Sequence, residues 1–257
     1  MLIVRTRSAL TVLVATALAA CAPPITPVTS PTAQPTPAAP APATVPAPST
    51  PPAAVATTPA PPAAPAIASD AAAESLLVDV AKLDPSIRVD LRYATRYNFT
   101  GATLPGYEGP RALLRREAAQ ALARVEARLA ADSLGLKIFD AYRPVRATDA
   151  MVAWTRRVNR EDLLRDGYIA ERSKHNLGLA VDLTLVELPS GNELKMGTAF
   201  DTFAATAHTA NATGVFAANR QRLKRAMEAE GFTNLPEEWW HFSYQVPDPM
   251  RFDLVIR

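Results

Sequence analysis

Sixteen of the 24 prolines lie between Pro23 and Pro65, mixed with Ala, Thr, Val and Ser, and no glycine precedes Gly101. Proline lacks an amide donor and breaks helices, so this stretch cannot close around a core. Residues 21–70 are expected to form a disordered Pro/Ala-rich tether, which at about 3.1 Å per residue could reach roughly 140 Å. Whatever folds must come from residues 71–257, where apolar spacing is regular and charge is ordinary. About 185 residues suffice for one domain with a sizeable core.

The N-terminus carries Arg5 and Arg7, an apolar run from Ser8 to Ala20, and then Cys21, the one cysteine of the chain. A short basic segment before roughly a dozen apolar residues reads as an export signal over residues 1–20, too short to span a bilayer comfortably. Leu18-Ala19-Ala20-Cys21 resembles the lipobox of bacterial lipoproteins. That resemblance implies lipidation at Cys21 and a membrane anchor, with Ala22 favouring the outer membrane and a domain facing the periplasm. An ordinary cleaved signal with an incidental cysteine is the alternative. Without Arg5 and Arg7, the 27 basic side chains fall to 25 against 25 acidic ones, so charge gives no reason to expect nucleic acid.

In the globular part, Val78–Ile87 and Val89–Tyr93 read as strands. Arg111–Ala131 reads as a helix, with Ala118, Leu122, Val125 and Leu129 at spacings of four and three, and with Gly135 ending it. Leu136–Asp140 reads as a strand, Ala147–Arg157 as a helix and Leu179–Leu188 as a strand that turns back through Pro189–Asn192. Asn219–Glu230 reads as a helix ended at Gly231, and Glu238–Gln245 as a last strand. Helices and strands do not alternate regularly, which predicts an α+β domain around a mainly antiparallel sheet flanked by helices.

Two segments carry the chemistry. Ser173 to Asp182 holds His175 and Asp182, and Glu238-Trp239-Trp240 runs into His241. Two imidazoles and a carboxylate are what a catalytic zinc takes, with the fourth position left for water. Asp182 lies in an apolar strand, where a carboxylate is costly unless paired or metal-bound. Glu238, in the loop before the last strand, is placed to take a proton from that water. A salt bridge for Asp182, a satisfied surface His175 and an aromatic core strand at Trp239–His241 are the plainer alternatives.

Ser-x-His-x-x-Gly-x-Ala-x-Asp (Ser173–Asp182) and Glu-Trp-Trp-His (Glu238–His241) resemble the D-alanyl-D-alanine dipeptidases of the vancomycin-resistance type. So do Arg92–Gly101, Asp140–Pro144 and Met196–Asp201, and the resemblance runs over most of residues 88–245. It implies an α+β fold, one Zn2+ held by His175, Asp182 and His241, and Glu238 as general base. It further implies Arg143 as the cation facing the oxyanion, Asp140 orienting Arg143, Tyr93 and Asp201 on the substrate's amino group, and Ser173 on its carboxylate. His208 is expected to have a surface or structural part rather than a catalytic one. The segment 159–172 is short where the family walls its pocket. The implied substrate is a D,D-dipeptide, foremost D-Ala-D-Ala, from cell-wall turnover or in glycopeptide resistance. A D,D- or L,D-carboxypeptidase, or a wall-binding lipoprotein without catalysis, are the rival readings.

Overall fold

In the computed structural model, which describes residues 66–257, two side-chain caps set short elements at the start of the domain. Ser69 accepts from the Ala72 amide and opens α1 (Asp70–Leu76). The expected strand Val78–Ile87 survives only as β1 (Leu77–Asp79), because the Asp79 carboxylate accepts from Ala81 N at 3.2 Å and starts α2 (Val80–Leu83). The expected strand Val89–Tyr93 is reduced to β2 (Arg88–Val89), and Arg92–Ala94 forms a 3₁₀ turn without a side-chain cap. Leu113–Arg115, expected to be helical, is β3, paired antiparallel with β1.

The long helix α3 therefore begins at Arg116 and runs to Ala130, burying Ala118, Leu122, Val125 and Leu129 as expected. Gly135 does not end it. The chain turns at Ser133, which adopts φ 57°, and Gly135 lies inside β4 (Leu134–Asp140). Its missing side chain has a different use: a Cβ there would sit 2.8 Å from Glu126 Oε1.

Glu126 is buried, and its Oε2 accepts from Leu136 N at 2.7 Å, tying α3 to β4. Burial raises its carboxyl above the ordinary glutamate value. A raised folded-state value favours the native state at low pH, an advantage lost as pH rises through that value. The stability of Glu126→Gln relative to the parent should therefore increase from pH 4 to pH 8 in urea unfolding. A difference independent of pH would contradict this.

The remaining helices are α4 (Val145–Arg157), α5 (Asp162–Arg165) and α6 (Gly214–Glu228). α6 starts five residues earlier than expected, since no side chain caps its start to announce it, while Gly231 at φ 89° ends the region as expected. β5 (Ala180–Glu187), β6 (Thr233–Asn234) and β7 (His241–Ser243) complete a five-stranded sheet of order β2-β4-β5-β7-β6. Only β2 runs parallel to its neighbour, β4; the other pairs are antiparallel. The fold is mixed α and β. After β5 the chain returns as expected, with Leu194 N donating to Leu185 O at 2.9 Å, but it makes an isolated bridge rather than a second strand.

Alternation along β5 divides the sheet's two faces. Val181, Leu183 and Leu185 enter the core on the side where α3 and α6 pack, while Asp182 and Thr184 point the other way. Among the described residues no helix is long and apolar enough to cross a membrane. The expected signal, Cys21 and most of the tether lie outside the described residues.

Candidate metal centre and catalytic cavity

Asp182 stands beside a partner on each flanking strand: Asp140 of β4 on one side and His241 of β7 on the other. Directly opposed residues of antiparallel strands share a face. Asp140 would not share it by simple alternation, since Leu136 and Ile138 face the core. A bulge between Ile138 and Asp140 shifts the register by one and turns Asp140 toward Asp182.

His175 arrives from outside the sheet, on a 3₁₀ turn over Lys174–Leu177. Ser173 caps this turn, its hydroxyl accepting from His175 N at 3.2 Å, and Gly178 closes it at φ 64°. Glycine suits this left-handed backbone, and a Cβ would also press on Leu77 Cδ2 at 2.5 Å and Arg115 N at 3.2 Å. Asn176 locks the turn from behind, donating to Arg143 O at 2.9 Å and Thr148 Oγ1 at 2.8 Å.

His175 Nδ1 lies 2.6 Å from the Ala141 carbonyl, so that nitrogen carries the proton and Nε2 presents its lone pair inward. Nε2 faces His241 Nδ1 at 3.2 Å and Asp182 Oδ1 at 3.4 Å, and His241 Nδ1 lies 2.9 Å from Asp182 Oδ1. One ligand atom from each residue falls within 4.8 Å of the others. Burial would raise the Asp182 carboxyl, but the two imidazoles outweigh it and hold the group well below the usual range. Burial lowers His241, favouring its neutral form. A carboxylate and two imidazoles converging on one point make a donor set that could hold a divalent transition ion.

Glu238 lies in the turn before β7, not in a strand. Asn234 clamps that turn, donating to Glu238 O at 3.1 Å and His241 O at 3.0 Å. This shortens the expected strand Glu238–Gln245 and sets the carboxylate 3.8 Å from His241 Nδ1. Burial raises Glu238 well above the ordinary value, with Asp182 and Asp201 adding to the effect.

Arg143 is buried against Asp140, at 2.9 Å through Nε and 2.7 Å through Nη2. Its Nη2 is 3.8 Å from Asp182, and its guanidinium stacks over the Tyr93 ring at 4.9 Å. Tyr107 donates to the same Asp140 at 2.5 Å. Tyr93 in turn donates to Asp201 at 3.0 Å. Asp201 adopts φ 58°, and burial raises its carboxyl well above the usual value. Among the described residues Asp201 has no ion pair.

Eight of the nine predicted site residues within residues 66–257 line one cavity of about 360 Å³, and the ninth, Asp140, is buried against Arg143. Phe99, Tyr168 and Phe203 give it an aromatic side. Sequence reasoning missed Tyr107, Asn176, Asn234 and the Ala141 carbonyl, whose parts depend on contacts across 4 to 34 positions of the chain.

The family described as D-ala-D-ala dipeptidase matches residues 73–250. The chain belongs to this family. A D-alanyl-D-alanine dipeptidase of Enterococcus faecium is 36% identical over 61% of this chain and 85% of its own length. One from Streptomyces coelicolor is 34% identical, covering 69% of this chain and 96% of its own. That of Escherichia coli is 34% identical over 70% of this chain and 89% of its own. Membership makes the chain a metallopeptidase, and His175, Asp182 and His241 lie close enough together to hold a metal ion.

Proposed function

We propose that the protein hydrolyses D-alanyl-D-alanine and similar D,D-dipeptides with one zinc ion held by His175, Asp182 and His241. The observation that carries this reading is the pairing of that donor set with Glu238 on one side and, on the other, a half-buried Asp201 that holds the Tyr93 hydroxyl but no cation. The names of the relatives agree with it. Zinc, when bound, supplies Lewis acidity, lowering the pKa of a coordinated water to about 7 and polarising a carbonyl.

The chain's own groups divide the remaining work. Glu238 takes the proton from the attacking water and delivers it to the leaving amine. A raised carboxyl holds that proton well once it has it. Arg143, fixed by Asp140 and by stacking on Tyr93, meets the negative charge that develops on the carbonyl oxygen. Asp201 and Tyr93 receive the substrate's ammonium, the cation that Asp201 lacks. Ser173 spends its lone pair on the His175 amide, which leaves its O–H free to donate to the substrate's carboxylate.

A site that pairs with both termini should reject longer chains. The kcat/KM for D-Ala-D-Ala should exceed that for N-acetyl-D-Ala-D-Ala, and for a pentapeptide ending in D-Ala-D-Ala, by at least about a hundredfold. Equal release of D-alanine from the pentapeptide would favour a carboxypeptidase. The lipobox-like Leu18–Cys21 and the Pro-rich segment support a further reading: a lipid-anchored envelope enzyme, tethered to the outer membrane, that salvages wall-derived dipeptide in the periplasm. Metabolic labelling with a palmitate analogue, lost in Cys21→Ser, tests the anchor.

A further inference from the structure

Tyr168 brings to the cavity a hydroxyl that the chemistry above leaves unused, and His208 is the histidine outside the metal centre. The two meet, with Tyr168 Oη 3.2 Å from His208 Nε2. The Tyr168 ring packs on Phe203 at 5.9 Å, and Phe203 on Phe99 at 5.1 Å, so three cavity-lining rings form one continuous wall.

The ends of this contact are held differently. His208 sits between 3₁₀ turns at Ala205–Ala207 and Thr209–Asn211. Its carbonyl accepts from Nη1 of the buried Arg220 at 2.8 Å, and Arg220 also binds the carbonyls of Met196 and Thr206. That end is braced against α6. Tyr168 follows Gly167, at φ 81°, on the segment between α5 and Ser173, whose anchor is the buried Ile169, donating to Leu163 O at 2.9 Å. The Tyr168–His208 hydrogen bond thus fastens a loop-borne ring to a rigid frame. A wall discriminates against added methylenes only if it cannot retreat, and such discrimination is worth about 10- to 200-fold.

We propose that Tyr168 is a specificity residue and His208 its positioning partner, which together fix an aromatic wall that limits the side-chain size of the dipeptide accepted. The proposal rests on the dipeptidase reading. Its test compares kcat/KM of the zinc-loaded full chain for D-Ala-D-Ala and for dipeptides with one D-alanine replaced by D-leucine or D-phenylalanine. Tyr168→Ala should raise the bulky-to-small ratio by about tenfold or more. Tyr168→Phe and His208→Ala should each raise it by a smaller factor, and their double variant no further than either alone. A loss of general structure would lower all rates and leave the ratio unmoved. Ratios equal to the parent's in all variants, or single effects that multiply in the double, would overturn the proposal. Calorimetric binding of the same dipeptides to Glu238→Ala protein, with and without Tyr168→Ala, reads the wall without turnover. Absent hydrolysis by the parent would therefore count against the activity, while unchanged binding ratios would count against the wall.

Discussion

Glu238→Ala should lower hydrolysis of D-Ala-D-Ala by about two to four powers of ten while the protein still binds one zinc ion. The separation of the two effects follows from geometry. Glu238 is held in its turn by backbone bonds, Glu238 N to Leu235 O at 3.0 Å and Asn234 Nδ2 to Glu238 O at 3.1 Å, and these do not use the carboxylate. Removing the carboxylate thus leaves His241 in place and takes away only the proton carrier. It also removes a charge that burial disfavours, so the folded variant should be no less stable than the parent. Steady-state kinetics with metal analysis on the same sample checks both halves. A variant that keeps its zinc and its full rate would exclude Glu238 as the base.

The second large effect is expected at Asp140, a residue that touches neither metal nor substrate in this account. Asp140 is buried, holds Arg143 through two contacts, and accepts from Tyr107. Asp140→Ala would leave the Arg143 guanidinium buried without its main counter-ion, a change that typically costs about 3–5 kcal/mol. Arg143 would also lose the bonds that aim it, so kcat should fall by about ten- to a hundredfold beyond any loss of folded protein. Chemical unfolding reads the first effect, and kinetics at a temperature where the variant is fully folded reads the second. Asp140→Asn, which keeps the shape and one acceptor, should recover part of the stability and less of the rate. A variant with parental stability would show that Arg143 does not depend on this carboxylate.

The cluster of His175, Asp182 and His241 was legible in the sequence because the metal site proposed for it makes chemical demands. An imidazole and a carboxylate seven residues apart, the latter inside an apolar strand, have few uses together, and Glu238-Trp-Trp-His241 added the proposed base and third ligand. The long elements were legible for a similar reason: α3 and β5 each carry a period that only one secondary structure satisfies. What could not be read was set by contacts distant in the chain. The bulge that turns Asp140 into the site is a matter of register between β4 and β5, and no residue type signals it. Gly135 looked like a helix stop, yet its place is decided by Glu126 pressing on the β4 backbone. Asp79 looked like one polar residue within a strand, and its side chain instead begins a helix. Asn234 has an ordinary sequence neighbourhood, and its bonds to Glu238 and His241 appear only when β6 and β7 pair.

Elemental analysis of the dialysed, active protein tests the central claim most directly. The account predicts one zinc per chain, loss of dipeptide hydrolysis when a chelator strips it, and return of the rate on adding zinc back. Full activity in protein that holds no stoichiometric transition metal would contradict it.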